Sequence, residues 1–108
     1  MSSDLKIEKI GVIGAGTMGN GIAHVSALSG FHTVLVDVKD EFVQRGFDTI
    51  YKNMHRQVKK EKISQSELEA SMNRITLSTD YNQLSACDLI IEAATENKDI
   101  KLNIFKEL

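Results

Sequence analysis

The sequence predicts an α/β fold of the doubly wound kind, a parallel sheet flanked by helices. Three observations predict it. Short β-branched runs alternate with stretches of helical spacing. A glycine-rich turn, Gly14-Ala15-Gly16-Thr17-Met18-Gly19, joins the first run to the first helical stretch. An acid, Asp37, stands at the end of the second run, eighteen residues past Gly19.

Each element follows from its residues. Lys6 to Ile13 ends in an apolar run stopped by glycine, the pattern of a strand buried on both faces. Thr17 to Ser29 spaces Met18, Ile22 and Val25 as a helix does, with Gly19, Ala23 and Ala27 among them, and Gly30 is placed to end it. His32 to Val38 is a second strand. A strand, helix, strand unit of this length is a right-handed crossover with parallel strands. A helical insert follows, with Val43, Phe47, Ile50, Tyr51, Met54 and Val58 predicted as one apolar stripe. Lys52, Arg56, Lys59 and Lys60 repeat at the same period on another face. Ser64 and Glu67 have the spacing of a capping box for a shorter helix containing Leu68 and Met72. Ile75 to Ser78 reads as a third strand, Tyr81 to Ala86 as a helical turn and Leu89 to Ala93 as a fourth strand. Asp99 to Leu108 is predicted to begin a helix. The whole is a Rossmann-type sheet that runs to the fourth strand and the helix after it, with a helical insert after strand two.

Composition removes several classes. At 108 residues the chain suits one domain, spanning 1–108, and leaves little room for two. Thirteen basic and fifteen acidic side chains give a net charge of −2, with no global electrostatic reason to bind nucleic acid. No apolar run approaches the ~20 residues of a membrane span. No secretory or organelle leader is visible at Met1-Ser2-Ser3-Asp4, and the expected setting is the cytoplasm. Cys87 is the single cysteine, so no internal disulfide and no metal-ligand spacing are expected.

The chemistry lies in the glycine turn. Gly14 permits the tight passage from strand to helix. Gly16 lets a backbone approach a pyrophosphate, and Gly19 lets the helix sit close to the strand. The amides and the positive end of the helix then stabilise phosphate charge, which makes Gly14, Gly16, Thr17, Met18 and Gly19 the candidate contacts. Asp37 is placed to accept hydrogen bonds from the adenosine ribose and to repel a 2′-phosphate, so the expected cofactor is NAD rather than NADP. Lys39 softens that preference.

Residues 11–23, Gly-Val-Ile-Gly-Ala-Gly-Thr-Met-Gly-Asn-Gly-Ile-Ala, resemble the opening of 3-hydroxyacyl-CoA dehydrogenases, the short-chain 3-hydroxybutyryl-CoA enzymes above all. The likeness continues through Leu35-Val36-Asp37, the helical insert, the segment from Cys87 to Asn97, and Ile100-Lys101. It implies that the backbone at Ala93 and the side chains of Glu96 and Lys101 line the nicotinamide half of an NAD site. It implies an acyl-CoA substrate for the full-length enzyme, with Lys52 and Lys59 as candidate coenzyme A contacts and a solvated helix face as the plainer meaning of that basic run. It also implies a homo-oligomer. The family's general base, a histidine oriented by a glutamate, matches none of His24, His32 or His55. The resemblance places that pair past Leu108, so no catalytic residue and no turnover are expected of residues 1–108 alone. Two other readings stand beside this one: a non-catalytic nucleotide-sensing module, and another nicotinamide-dependent hydroxyacid dehydrogenase. Glu-Ala-Ala-Thr-Glu-Asn at 92–97 disfavours the second.

Overall fold

Apolar runs become the strands of one five-stranded sheet in the order β3-β2-β1-β4-β5. The computed structural model describes residues 7–93 and the backbone of 101–104. In chain order the elements are β1 (Lys9–Ile13), α1 (Thr17–Leu28), β2 (His32–Val36), α2 (Asp40–Lys59), α3 (Gln65–Asn73), β3 (Ile75–Ser78), a 3₁₀ segment (Tyr81–Ala86), β4 (Leu89–Glu92) and β5 (Lys101–Ile104). The first four strands are mutually parallel, and β5 runs antiparallel to β4. At the centre, Val12 lies level with Leu35 on one side and Ile91 on the other.

Strand periodicity divides the core. Ile10, Val12 and Leu35 join Ala23 and Ala27 of α1, Val43, Ile50 and Met54 of α2, and Leu68 of α3 in the larger cluster. Val34, Val36 and Ile90 point the other way and meet Leu84 and Cys87 in a second one. The three α-helices among the described residues therefore contribute to one apolar layer, while Leu84 of the 3₁₀ segment covers part of the opposite face. Cys87 is a buried filler there, and burial pushes its thiol up from the ordinary range.

Local signals end the helices as expected. The Phe31 N–H donates to Ser26 O and the Gly30 N–H to Ala27 O, both at 3.1 Å, around Gly30 at φ +100°. That is a Schellman end, in which glycine supplies the left-handed residue. Ser64 Oγ accepts from the Glu67 N–H at 3.0 Å, and Glu67 Oε1 accepts from the Ser64 N–H at 2.8 Å. The capping box is complete.

Three expectations are corrected. Residues 101–104, predicted within a helix, pair as a strand with β4. A strand edge carries a row of unpaired N–H and C=O groups, and this pairing satisfies those of β4. The remainder of the predicted helix lies outside the described residues. Tyr51, assigned to the buried stripe of α2, is 45% exposed and stacks on His55 at 6.0 Å between ring centres. The buried positions of α2 are Val43, Gly46, Ile50 and Met54, and Tyr51, one residue past Ile50, sits about 100° round the helix from that line. The second and fourth strands also stop earlier than predicted, at Val36 and Glu92, which leaves Asp37 and Ala93 just past the strand ends. Among the described residues no helix is long and apolar enough to cross a membrane, and no cluster could hold a metal ion.

Candidate functional site

The parallel order β3-β2-β1-β4 brings the C-terminal ends of these four strands to one edge of the sheet. In this order β1 has β2 on one side and β4 on the other, the place where the strand order reverses and where ligands sit in such folds. Two bonds extend the ladders beyond the strands: the Gly14 N–H donates to Val36 O at 2.7 Å, and the Ala93 N–H to Ile13 O at 2.8 Å. Gly14, Asp37 and Ala93 therefore share one rim.

The three glycines of the turn have three different jobs. Gly14 is at φ +101°, a conformation L side chains rarely adopt. A Cβ on Gly19 would overlap the Gly14 carbonyl oxygen and lie 2.7 Å from its carbonyl carbon, so α1 meets the turn backbone to backbone. Gly16 is different. A Cβ there would meet nothing within 4 Å, and its φ of −69° suits any residue. Neither the fold nor the local backbone demands glycine at 16. Bare backbone facing open space is what the close approach of a ligand requires.

The start of α1 is uncapped. Gly16 offers no side chain to it, and its first turn holds no acid, whereas α2 carries Asp40 and Glu41 there and α3 has its capping box. The first-turn amides have no intrahelical acceptors, and their partial positive charge is available to an anion. Thr17 is exposed and Met18 half-buried at this end.

Asp37 faces the turn. Its Oδ2 accepts from the Ala15 N–H at 2.8 Å, and its Oδ1 from the Val38 N–H at 2.6 Å. A carboxylate has about four acceptor positions, so two bonds leave it able to take hydroxyl donors. The partly buried bond to Ala15 fixes the glycine turn to the end of β2. On the other side of Ala15 stands Gly46, where a Cβ would come within 2.8 Å of the Ala15 oxygen. Sequence reasoning missed Gly46, since the contact that requires a small residue is made only in three dimensions.

These features fit a dinucleotide: an anion-ready helix start, an unobstructed backbone at Gly16, and a carboxylate beside it at Asp37. The sequence comparison decides the family. The model of the 3-hydroxyacyl-CoA dehydrogenase NAD-binding domain matches residues 9–108. The chain belongs to this family. The NAD-binding domain is 46% identical over 102 residues to 3-hydroxybutyryl-CoA dehydrogenase of Bradyrhizobium diazoefficiens, covering 94% of this chain and 35% of that protein. To a probable 3-hydroxybutyryl-CoA dehydrogenase of Deinococcus radiodurans it is 45% identical over 100 residues, covering 93% of this chain and 36% of that protein. The crystal structure of (S)-3-hydroxybutyryl-CoA dehydrogenase from Ralstonia eutropha superimposes with a TM-score of 0.83 at 46% identity, over 85% of this chain and 32% of that one. The chain thus spans about a third of the length of these relatives.

The remaining candidates of this NAD-binding domain are spread more widely. Ala93 is half-buried at the rim. Glu96 lies outside the described residues. Lys101 opens β5, its backbone level with Glu92. Lys52 and Lys59 are both exposed on α2. The concave basic surface lies elsewhere: a hollow of about 260 Å³ is lined by His24, Arg56, Lys60 and Lys62 together with Asn53 and Gln57. His24 Nε2 meets Gln57 Oε1 there at 2.7 Å and ties α1 to α2. His32 and His55 are exposed.

Proposed function

We propose that this chain forms the NAD-binding part of a 3-hydroxybutyryl-CoA dehydrogenase. In that role Gly14, Gly16, Thr17, Met18 and Gly19 hold the pyrophosphate, Asp37 holds the adenosine ribose, and Ala93, Glu96 and Lys101 serve the nicotinamide half. The observation that carries the reading is the pairing of an uncapped helix start at Gly16 with a carboxylate fixed to the same turn. NAD, when bound, supplies a hydride acceptor for oxidation of a 3-hydroxyl to a ketone. The residues described here bind and orient it, and none of the three histidines is placed to take a proton at the rim.

The substrate class follows from the relatives' names, which specify coenzyme A esters. Lys52 and Lys59 stay within the proposal as exposed cations on α2. The geometry favours their neighbours Arg56, Lys60 and Lys62, because a phosphate held in a hollow by several cations is bound better than one on an open face.

Gly16→Ala tests the cradle. The added methyl group meets nothing in the protein, so the melting temperature is expected to stay within error or rise slightly. The same methyl occupies the space of the phosphate, and NADH affinity is expected to fall at least about tenfold, the weight of one strong charged hydrogen bond. Fluorescence titration with NADH measures the affinity and circular dichroism the melt. Undiminished binding by Gly16→Ala would remove the turn from the site.

A further inference from the structure

We infer that Tyr81 is the adenine-contacting residue of this site, its ring and the side chain of Val38 bracketing the base beside Asp37. The inference rests on the NAD reading and adds to it a residue from outside the glycine turn. Four large hydrophobic side chains are exposed among the described residues: Val25, Val38, Tyr51 and Tyr81. Scattered singly they would mean little. Two of them are tied to the residue assigned to the ribose, Val38 as its neighbour in sequence and Tyr81 through the end of the adjacent strand. Val38 follows Asp37 directly and is 65% exposed. Tyr81 comes from the neighbouring strand's end: the Asp37 N–H donates to Ser78 O at 3.3 Å, which places the end of β3, three residues before Tyr81, against Asp37.

The turn after Ser78 is held in place. Ser78 Oγ accepts from the Asp80 N–H, and Asp80 Oδ1 accepts from the Asn82 N–H, both at 2.9 Å. Tyr81 lies between these two bonds as the first residue of the 3₁₀ segment. The residue is 43% exposed, so much of its side chain is open to a ligand. Partial burial, and after it the charge of Asp37, push its phenol up from the usual value. In an adenosine the base is bonded to the very ribose whose hydroxyls Asp37 would hold. The base therefore falls within a few bond lengths of Asp37, and the aromatic face available there is that of Tyr81. Base stacking on an aromatic ring is sequence-tolerant and favours a large purine face.

The test uses ADP-ribose and nicotinamide mononucleotide as separate probes of the two halves. Tyr81→Ala is expected to weaken ADP-ribose about tenfold by calorimetry, in the range found for base stacking on aromatic rings, and to leave nicotinamide mononucleotide as it was. Tyr81→Phe should restore most of the loss. The chain has two tyrosines and no tryptophan, so Tyr51→Phe leaves Tyr81 as the only tyrosine emitter. In that background ADP-ribose should quench the emission along its calorimetric binding curve, and nicotinamide mononucleotide should not. Equal ADP-ribose affinity in Tyr81→Ala, or no quench on binding, would overturn the inference while leaving the NAD reading intact. If ADP-ribose does not bind the unmodified chain, the NAD reading falls and this inference falls with it.

Discussion

Gly19→Ala is expected to lower stability by about 3 kcal/mol, the upper part of the range for forced overpacking. For a domain of this size that is a fall in Tm on the order of 15 °C. The reason is that nothing at the contact can give cheaply. The new Cβ would overlap the Gly14 carbonyl oxygen, and Gly14 is itself held by its N–H bond to Val36 O. Relief requires α1 to move away from the turn, which also turns the first-turn amides away from a ligand. NADH affinity should therefore fall together with Tm. Gly21→Ala is the control. It lies two positions along the same helix, where a Cβ meets nothing within 4 Å. There the replacement gains about 0.5–1 kcal/mol of helix stability. Thermal melts of both variants decide it: a Gly19→Ala protein that melts with Gly21→Ala would contradict the close contact.

Asp37→Ala is expected to reduce NADH affinity about 10- to 100-fold, since hydrogen bonds to a charged acceptor contribute about 1.5–3 kcal/mol. Two losses combine. The ribose hydroxyls lose their acceptor, and the Ala15 N–H loses the carboxylate that holds the turn to β2. Asp37→Asn should fall between, because a single amide oxygen cannot serve both Ala15 and Val38 as the two carboxylate oxygens do. Discrimination should shift too. Removing the negative charge removes repulsion of a 2′-phosphate, so the ratio of NADH to NADPH affinity should drop toward unity in Asp37→Ala. Parallel titrations with the two nucleotides measure it. An unchanged ratio would take Asp37 out of the specificity role.

Much of this was legible in the residues, for identifiable reasons. The runs ending at Ile13 and Val36 and the run Leu89 to Glu92 are β-branched or aliphatic because both faces of the sheet are covered, and that pattern is local. The ends of α1 and α3 were legible because Gly30 and the Ser64–Glu67 pair act on their own helices. The glycine turn was legible as a set, although only the structure separates Gly16, which nothing in the fold requires, from Gly19, which the fold cannot replace. What escaped depends on partners distant in sequence. Gly46 has its meaning against Ala15. The bond from the Ala15 N–H to Asp37 spans twenty-two residues and has no sequence signature. Strand β5 escaped because its pairing with β4 comes from an open edge rather than from its own pattern. Periodicity grouped Lys52, Arg56, Lys59 and Lys60 on one face, but it could not show that Arg56, Lys60 and Lys62 line one hollow with His24 from another helix.

The most direct measurement is a backbone amide NMR titration of this chain with NAD. If the turn holds a diphosphate, the largest shifts fall on the amides of Ala15 to Gly19, with a second group at Asp37 and Val38. Saturable binding that leaves those amides in place, with its shifts gathered on another face, would contradict it.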